Sequence, residues 1–151
     1  MRYDIIKRED GKEAIFDENG NMVSPEWFDR VYSYGLVEGQ SKYYIVKKDG
    51  KEAIFDVDGN QITKDWFDWI SLEGLVKGES DYYVVKENGE YAIFDKYGKQ
   101  ISLEWFNYIY PSGLVKGESR YYVAEKDRKN AIFDKDGKQI SQWFDSVFPS
   151  G

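Results

Sequence analysis

Four tandem units of 39 residues, each an antiparallel β-meander, are the architecture this chain leads one to expect, which places it in the all-β class. Three features carry that expectation. Ala-Ile-Phe-Asp begins at Ala14, Ala53, Ala92 and Ala131, and the constant interval of 39 residues marks a repeat architecture. Asp49-Gly50 and Asn88-Gly89 each separate two β-rich runs, the strongest short-range signal for a hairpin. Aromatic residues make up 18% of the chain, so the core must be built from Tyr, Phe and Trp, which favour strands.

The unit boundaries follow from the period. Trp-Phe begins at Trp27, Trp66, Trp105 and Trp143, and Gly-Leu-Val begins at Gly35, Gly74 and Gly113. The units are therefore 1–34, 35–73, 74–112 and 113–150, within one domain spanning 1–151. The first unit lacks the Gly-Leu-Val segment, and Gly151 stands where a fifth would begin.

Within a unit the elements read in order. The Tyr-Tyr run and the Ala-Ile-Phe-Asp run form one hairpin. A second reversal follows at Asp56–Asn60, where Gly59 can take the positive φ that such a loop needs. Ser24, Thr63 and Ser102 then read as N-caps of a single helical turn, with Pro25 at its first position and Glu26, Asp65 and Glu104 near the positive end. The fourth unit is one residue shorter here, which calls for a tighter turn. The strands carry apolar residues on both faces, so each sheet is expected to be covered on both sides by neighbouring units. A compact ring resembling a four-bladed propeller is the preferred arrangement and an open β-solenoid the alternative. Closure would have to occur without the Gly-Leu-Val strand that unit 1 lacks.

The frame of a hairpin, Phe-Asp-x-x-Gly, an aromatic-Asp-x-Ile segment and Gly-Leu resembles the WG-repeat family of bacterial proteins. Units of that family carry a similar Ile-Asp-x-x-Gly-Lys hairpin and a Tyr-Asp-Asp-Ile segment. The resemblance spans all four units, but the namesake Trp-Gly pair is replaced by Glu13-Ala14, Glu52-Ala53, Tyr91-Ala92 and Asn130-Ala131. The Val-Lys-Gly-Glu-Ser-x-Tyr-Tyr stretch also makes these units longer than usual. The resemblance implies a tandem β architecture and an interaction role, and it carries over no catalytic residues.

Composition narrows the chemistry. A formal net charge of −7 repels a phosphate backbone, which argues against nucleic acid as a partner. With no Cys and no His there is no thiolate ligand, disulfide or imidazole base. No stretch approaches the ~20 apolar residues of a membrane span, and the first ten residues lack a signal-peptide core, so a cytoplasmic protein without a membrane partner is expected.

Asp56, Asp58 and Asn60 have the spacing of a calcium loop, partly copied by Asp134 and Asp136. A bidentate Glu is not placed to complete it, and Asn19 and Tyr97 replace the second acid elsewhere, so a structural turn is expected, with no metal and no cofactor. Glu79 and Glu118, or Asp29, Asp68 and Asp145, could in principle supply the paired acids of a glycoside hydrolase. Each recurs with the repeat, which is first explained by what every unit needs in order to fold, so the expectation is no enzyme.

The tryptophans divide in two. Trp27, Trp66, Trp105 and Trp143 keep one phase and are expected between units. Trp69 sits where other units have Arg30, Tyr108 and Ser146, so the fold does not require it. Trp69, Tyr108, Tyr32, Tyr110 and Phe148 are the candidate binding residues, since large rigid rings give contact area at small entropic cost. The expected function is a non-catalytic module that binds a protein partner. A carbohydrate-binding module is the first alternative, and a carboxylate-based glycoside hydrolase the second.

Overall fold

In the computed structural model, residues 1–145 are described. Phe148 therefore lies outside the described residues. The strands are β1 (Tyr3–Lys7), β2 (Glu13–Asp17), β3 (Arg30–Val31), β4 (Tyr43–Lys48), β5 (Lys51–Asp56), β6 (Trp69–Ile70), β7 (Tyr82–Glu87), β8 (Glu90–Asp95), β9 (Tyr108–Ile109), β10 (Tyr121–Lys126) and β11 (Lys129–Asp134). The protein is all-β, with four similar units in tandem.

Each unit is organised on one hairpin: β1–β2, β4–β5, β7–β8 and β10–β11. The register is the same throughout, with Tyr43 opposite Asp56, Tyr82 opposite Asp95 and Tyr121 opposite Asp134. Asp49 and Gly50 have φ of 52° and 79°, and Asn88 and Gly89 of 53° and 81°. Two successive positive φ values give the turn whose twist matches that of the strands it joins. In unit 4 the same turn is Asp127-Arg128, so Arg128 holds a φ of 69° that costs a side chain what it does not cost glycine.

A short linking strand completes three of these hairpins into three-stranded antiparallel sheets: β3-β4-β5, β6-β7-β8 and β9-β10-β11. Each linking strand comes from the preceding unit. Arg30 and Val31 pair with Lys47 and Val46, while Phe28, two residues earlier, pairs with Glu13 of the previous hairpin. Both Phe28–Glu13 backbone bonds are 2.8 Å. One segment thus stitches two units together, and the sheets straddle the boundaries read from the sequence.

Two local expectations are corrected. Residues 24–26 are bends, and among the described residues there is no helix. The buried hydroxyls of Ser24, Thr63 and Ser102 accept the backbone N–H of Ile15, Ile54 and Ile93 at 3.1, 3.2 and 3.1 Å instead of capping a helix. They satisfy strand N–H groups at a gap in the ladder, and Phe28, Phe67 and Phe106 are already paired with Glu13, Glu52 and Tyr91 of the preceding hairpin, so no chain remains to coil. Unit 4 absorbs its deletion between two kept anchors, Ser141 on Ile132 N–H at 2.8 Å and Phe144 on Asn130.

The Gly-Leu-Val segments are turns and not strands. Gly74 has a φ of 94°, and a Cβ there would collide with the Tyr82 carbonyl oxygen, which already accepts Leu75 N–H at 2.8 Å. The turn points Leu75 and Val76 into the core.

Three buried clusters lie at the three junctions between consecutive units. Ile15 of unit 1 packs with Tyr44 and Val46 of unit 2. Ile45 and Ile54 of unit 2 meet Leu75, Val76 and Tyr83 of unit 3. Val84 and Ile93 of unit 3 meet Leu114, Val115 and Tyr122 of unit 4. Trp66 and Trp105 do bridge units, each ring lying between phenylalanines of two units, but they are only half-buried. Within each of these Trp-Phe pairs, and at Phe28, the buried ring is the phenylalanine: Phe28, Phe67 and Phe106.

Candidate functional site

The linking strand offers one residue to each side of the sheet. Val31, Ile70 and Ile109 point inward and are buried, while Arg30, Trp69 and Tyr108 point out. Because the inner residue keeps the sheet together, the outer one is free to vary, and it does.

Beside the linking strand, units 1 and 2 carry a carboxylate. Glu13 Oε1 accepts the Val31 N–H at 2.8 Å, and Glu52 Oε1 accepts the Ile70 N–H at 2.8 Å. Glu52 is buried, and its second oxygen accepts the Tyr32 hydroxyl at 2.7 Å. Burial and that hydrogen bond push the Tyr32 pKa up to about 12. In unit 3 the carboxylate is replaced by Tyr91.

That replacement links the aromatic residues. The Tyr91 ring lies 6.2 Å from Trp69 and 5.1 Å from Tyr108, and Tyr108 lies 4.9 Å from Tyr110. The interplanar angles are 78°, 74° and 85°, so each contact is edge to face. Trp69 remains 40% and Tyr108 38% exposed, which leaves the cluster open to solvent. A cleft of about 180 Å³ runs beside it, bounded by Trp69, Tyr91, Tyr108, Pro111 and Glu73. A shallower depression of about 600 Å³ continues past Asp68, Lys86 and Gly89. Lys86 holds its ammonium 5.4 Å from the Tyr91 ring centre, a cation–π contact at the rim.

The candidate residues are distributed as follows. Trp69, Tyr108 and Tyr110 come together in one cluster. Tyr32 lies on the other side of Trp69, where both line a pocket of about 110 Å³ with Glu52 and Leu72. Its ring is covered by the Arg30 guanidinium at 4.5 Å and its hydroxyl is tied to Glu52, so it is a flank of the site and not its centre. Tyr91 is the member that sequence reasoning missed. Its signal was present: it stands in a phase that is otherwise Glu13, Glu52 and Asn130.

The acids considered for catalysis each have a structural task. Glu79 and Glu118 accept the N–H of Gly74 and Gly113 at 2.8 and 2.9 Å. In unit 2 the uncharged Gln40 makes the same bond to Gly35 at 2.8 Å, so the position needs an oxygen and not a charge. Asp29 and Asp68 accept the N–H of Asp49 and Asn88 at the next hairpin turn, and Asn107 does the same for Asp127. Asp145 pairs with Lys129 at 3.0 Å. In the Asp-x-x-Gly turns one oxygen of the first Asp accepts two backbone N–H groups: for Asp56, those of Asp58 and Asn60, both at 2.9 Å. Asp17, Asp95 and Asp134 repeat the pattern. Among the described residues no group of three or more acids is placed to hold a metal ion.

No protein-family model matches the chain, and no curated protein matches it either.

Proposed function

We propose that this chain is a non-catalytic repeat module that binds a protein partner through the cluster of Trp69, Tyr91, Tyr108 and Tyr110. One observation carries the reading: the cluster is built where the repeat rule is broken. A carboxylate that accepts a linking-strand N–H in units 1 and 2 gives way to Tyr91, and the exposed linking-strand residues beside it become Trp69 and Tyr108. Exposed aromatic residues that no unit needs for folding are what a binding surface supplies. The edge-to-face angles favour a protein partner, since the rings make the walls of a cleft that takes a side chain and not a flat platform. The likeness to WG-repeat proteins points the same way.

Carbohydrate binding is the second reading, favoured by the half-exposed faces of Trp69 and Tyr108 beside Glu73. The glycosidase reading has less support, because the paired acids are explained by backbone hydrogen bonds.

The arrangement we infer is the open array. All strand pairs in substantial contact are consecutive in the chain. Asp4, opposite Phe16 in its hairpin, occupies the register position at which Tyr44, Tyr83 and Tyr122 are buried against the preceding unit. Closing the ring through the same interface would bury that carboxylate in an apolar junction.

The test is selection of peptides from a displayed random library, alongside a glycan array. The expected result is a peptide family bound by the protein and lost in both Trp69→Ala and Tyr108→Ala, with melting temperature little changed. Truncating a central anchor costs ~2 kcal/mol of binding, about thirtyfold in Kd. Glycan binding lost in the same variants, without peptide binding, would turn the reading to carbohydrate.

A further inference from the structure

The geometry points to a second interaction surface: the outer end of unit 4 is a docking face for a further unit of this same repeat, one that carries a Gly-Leu-Val segment. Three junctions inside the protein define what such a face looks like. At the second, Tyr43, Ile45, Ile54 and Ile62 of unit 2 pack on unit 3. At the third, Tyr82, Val84, Ile93 and Ile101 of unit 3 pack on unit 4. The first uses Tyr3, Ile5, Ile15 and Val23 in the same way.

The matching residues of unit 4 are Tyr121, Val123, Ile132 and Ile140. All four are less buried than their counterparts at the second and third junctions, and Tyr121 and Ile140 are 41% and 48% exposed. A groove of about 440 Å³ lies over Tyr121 and Ile140, edged by Arg120, Asp134, Lys135 and Asp136.

A hydrogen bond marks the same face. Ser41 donates to the carbonyl of Val76 at 2.6 Å, and Ser80 to the carbonyl of Val115 at 2.6 Å, each from one unit to the Gly-Leu-Val turn of the next. Ser119 is their counterpart, and among the described residues its hydroxyl bonds only within its own unit, to Tyr121 O at 3.2 Å and from Tyr121 N–H at 3.2 Å. Face and hydroxyl together specify the occupant. It must bring a Gly-Leu-Val turn, whose carbonyl takes the serine proton and whose Leu and Val cover Val123 and Ile132. It must also bring the buried Tyr of its hairpin. Unit 1 of a second copy of this chain meets neither requirement, since it lacks that turn and presents Asp4.

The experiment appends a second copy of residues 74–112 after Ser150 of the full chain. Repeat stability grows with each unit-to-unit interface, so the melting temperature is expected to rise by several degrees. Ser119→Ala should lower the melting temperature of the five-unit chain by more than that of the four-unit chain, where it removes only the bonds to Tyr121. Equal melting temperatures for the two chains, with Ser119→Ala having the same effect in both, would overturn the proposal. Two measurements on the unextended chain stand independently of whether the added unit folds. Tyr121→Lys with Ile140→Lys should leave its melting temperature unchanged, and a loss of several degrees would mean that the face is already covered, which sinks the idea. Sedimentation of the unmodified chain should show a monomer. A concentration-dependent oligomer abolished by Ile140→Lys would make a second copy the occupant and refute the requirement for the Gly-Leu-Val turn.

Discussion

Tyr44, Tyr83 and Tyr122 are buried at the three junctions, and their hydroxyl oxygens have no hydrogen-bond partner among the described residues. A polar group taken from water without a partner costs ~1–3 kcal/mol. Tyr→Phe removes that cost and leaves a void smaller than a methyl group, worth under ~1 kcal/mol. Each of Tyr44→Phe, Tyr83→Phe and Tyr122→Phe should therefore stabilise the protein by ~1–2 kcal/mol. The three rings sit in different clusters, so the triple variant should gain ~3–6 kcal/mol. The assay is urea unfolding at neutral pH. With a slope of ~2 kcal/mol/M, each substitution should raise the midpoint by ~0.5–1 M at unchanged slope. A midpoint lowered by any of the three would refute the reasoning, for it would mean that the hydroxyl is satisfied after all.

The same hydroxyls set a pH dependence. Burial pushes the pKa of all three well above the ordinary tyrosine value, with smaller contributions from Asp56, Asp95 and Asp134. Below pH ~10 both folded and unfolded chains keep the protons. As pH rises past that value the unfolded chain releases them first, so stability should fall as the medium becomes alkaline. Tyr32, pushed up to about 12, adds to this loss between pH 10 and 12. The triple Phe variant should lose stability less steeply over that range.

Other outcomes are expected. Arg128→Gly should stabilise by ~1 kcal/mol in the same melt, because it relieves a left-handed residue in a turn where units 2 and 3 have glycine. Millimolar calcium or excess chelator should leave the melting temperature unchanged, whereas a specific ion at 100 times its Kd would add ~2.7 kcal/mol. Deleting residues 113–151 should leave a soluble chain with a single, lower unfolding midpoint, since it removes one junction of three; a fragment with no cooperative transition would favour a closed ring.

The period and the hairpins of units 2 and 3 were legible because Asp-Gly and Asn-Gly permit few other turns, and Ala-Ile-Phe-Asp fixes the phase. The apolar character of both strand faces correctly announced that units stack, since Ile45 and Ile54 are buried by unit 3 and Val46 and Ala53 lie in the junction with unit 1. Ser-Pro-Glu misled because a hydroxyl before a proline has the same local chemistry whether it caps a helix or satisfies a strand. Only the distant Ile15 N–H decides between them. Gly-Leu-Val read as strand because its β-prone composition hides a turn closed by Gln40, Glu79 and Glu118 five residues on. Of the candidate site, Trp69 and Tyr108 could be found by their phase, but Tyr91 lies 22 residues from Trp69 and is joined to it only by the register of β6, β7 and β8.

How rigidly Trp69 is held bears on what the site can do. Two residues before it, Phe67 exchanges both backbone bonds with Glu52 at 2.7 and 2.9 Å. One residue after it, Ile70 donates to the Glu52 carboxylate and pairs with Val85. The indole therefore projects from a backbone pinned on both sides by two different units, with Tyr91 packed against it. A partner that meets this ring need not order a loop first, and the entropic cost that usually consumes much of an interface's energy is already met in the folding of the repeat. The two-residue linking strand that makes the array continuous is thus also the part best fitted to display a side chain. That is a physical reason for the proposed binding residues to lie there and not in the hairpin turns, where Asp49, Asn88 and Asp127 project at the exposed edge.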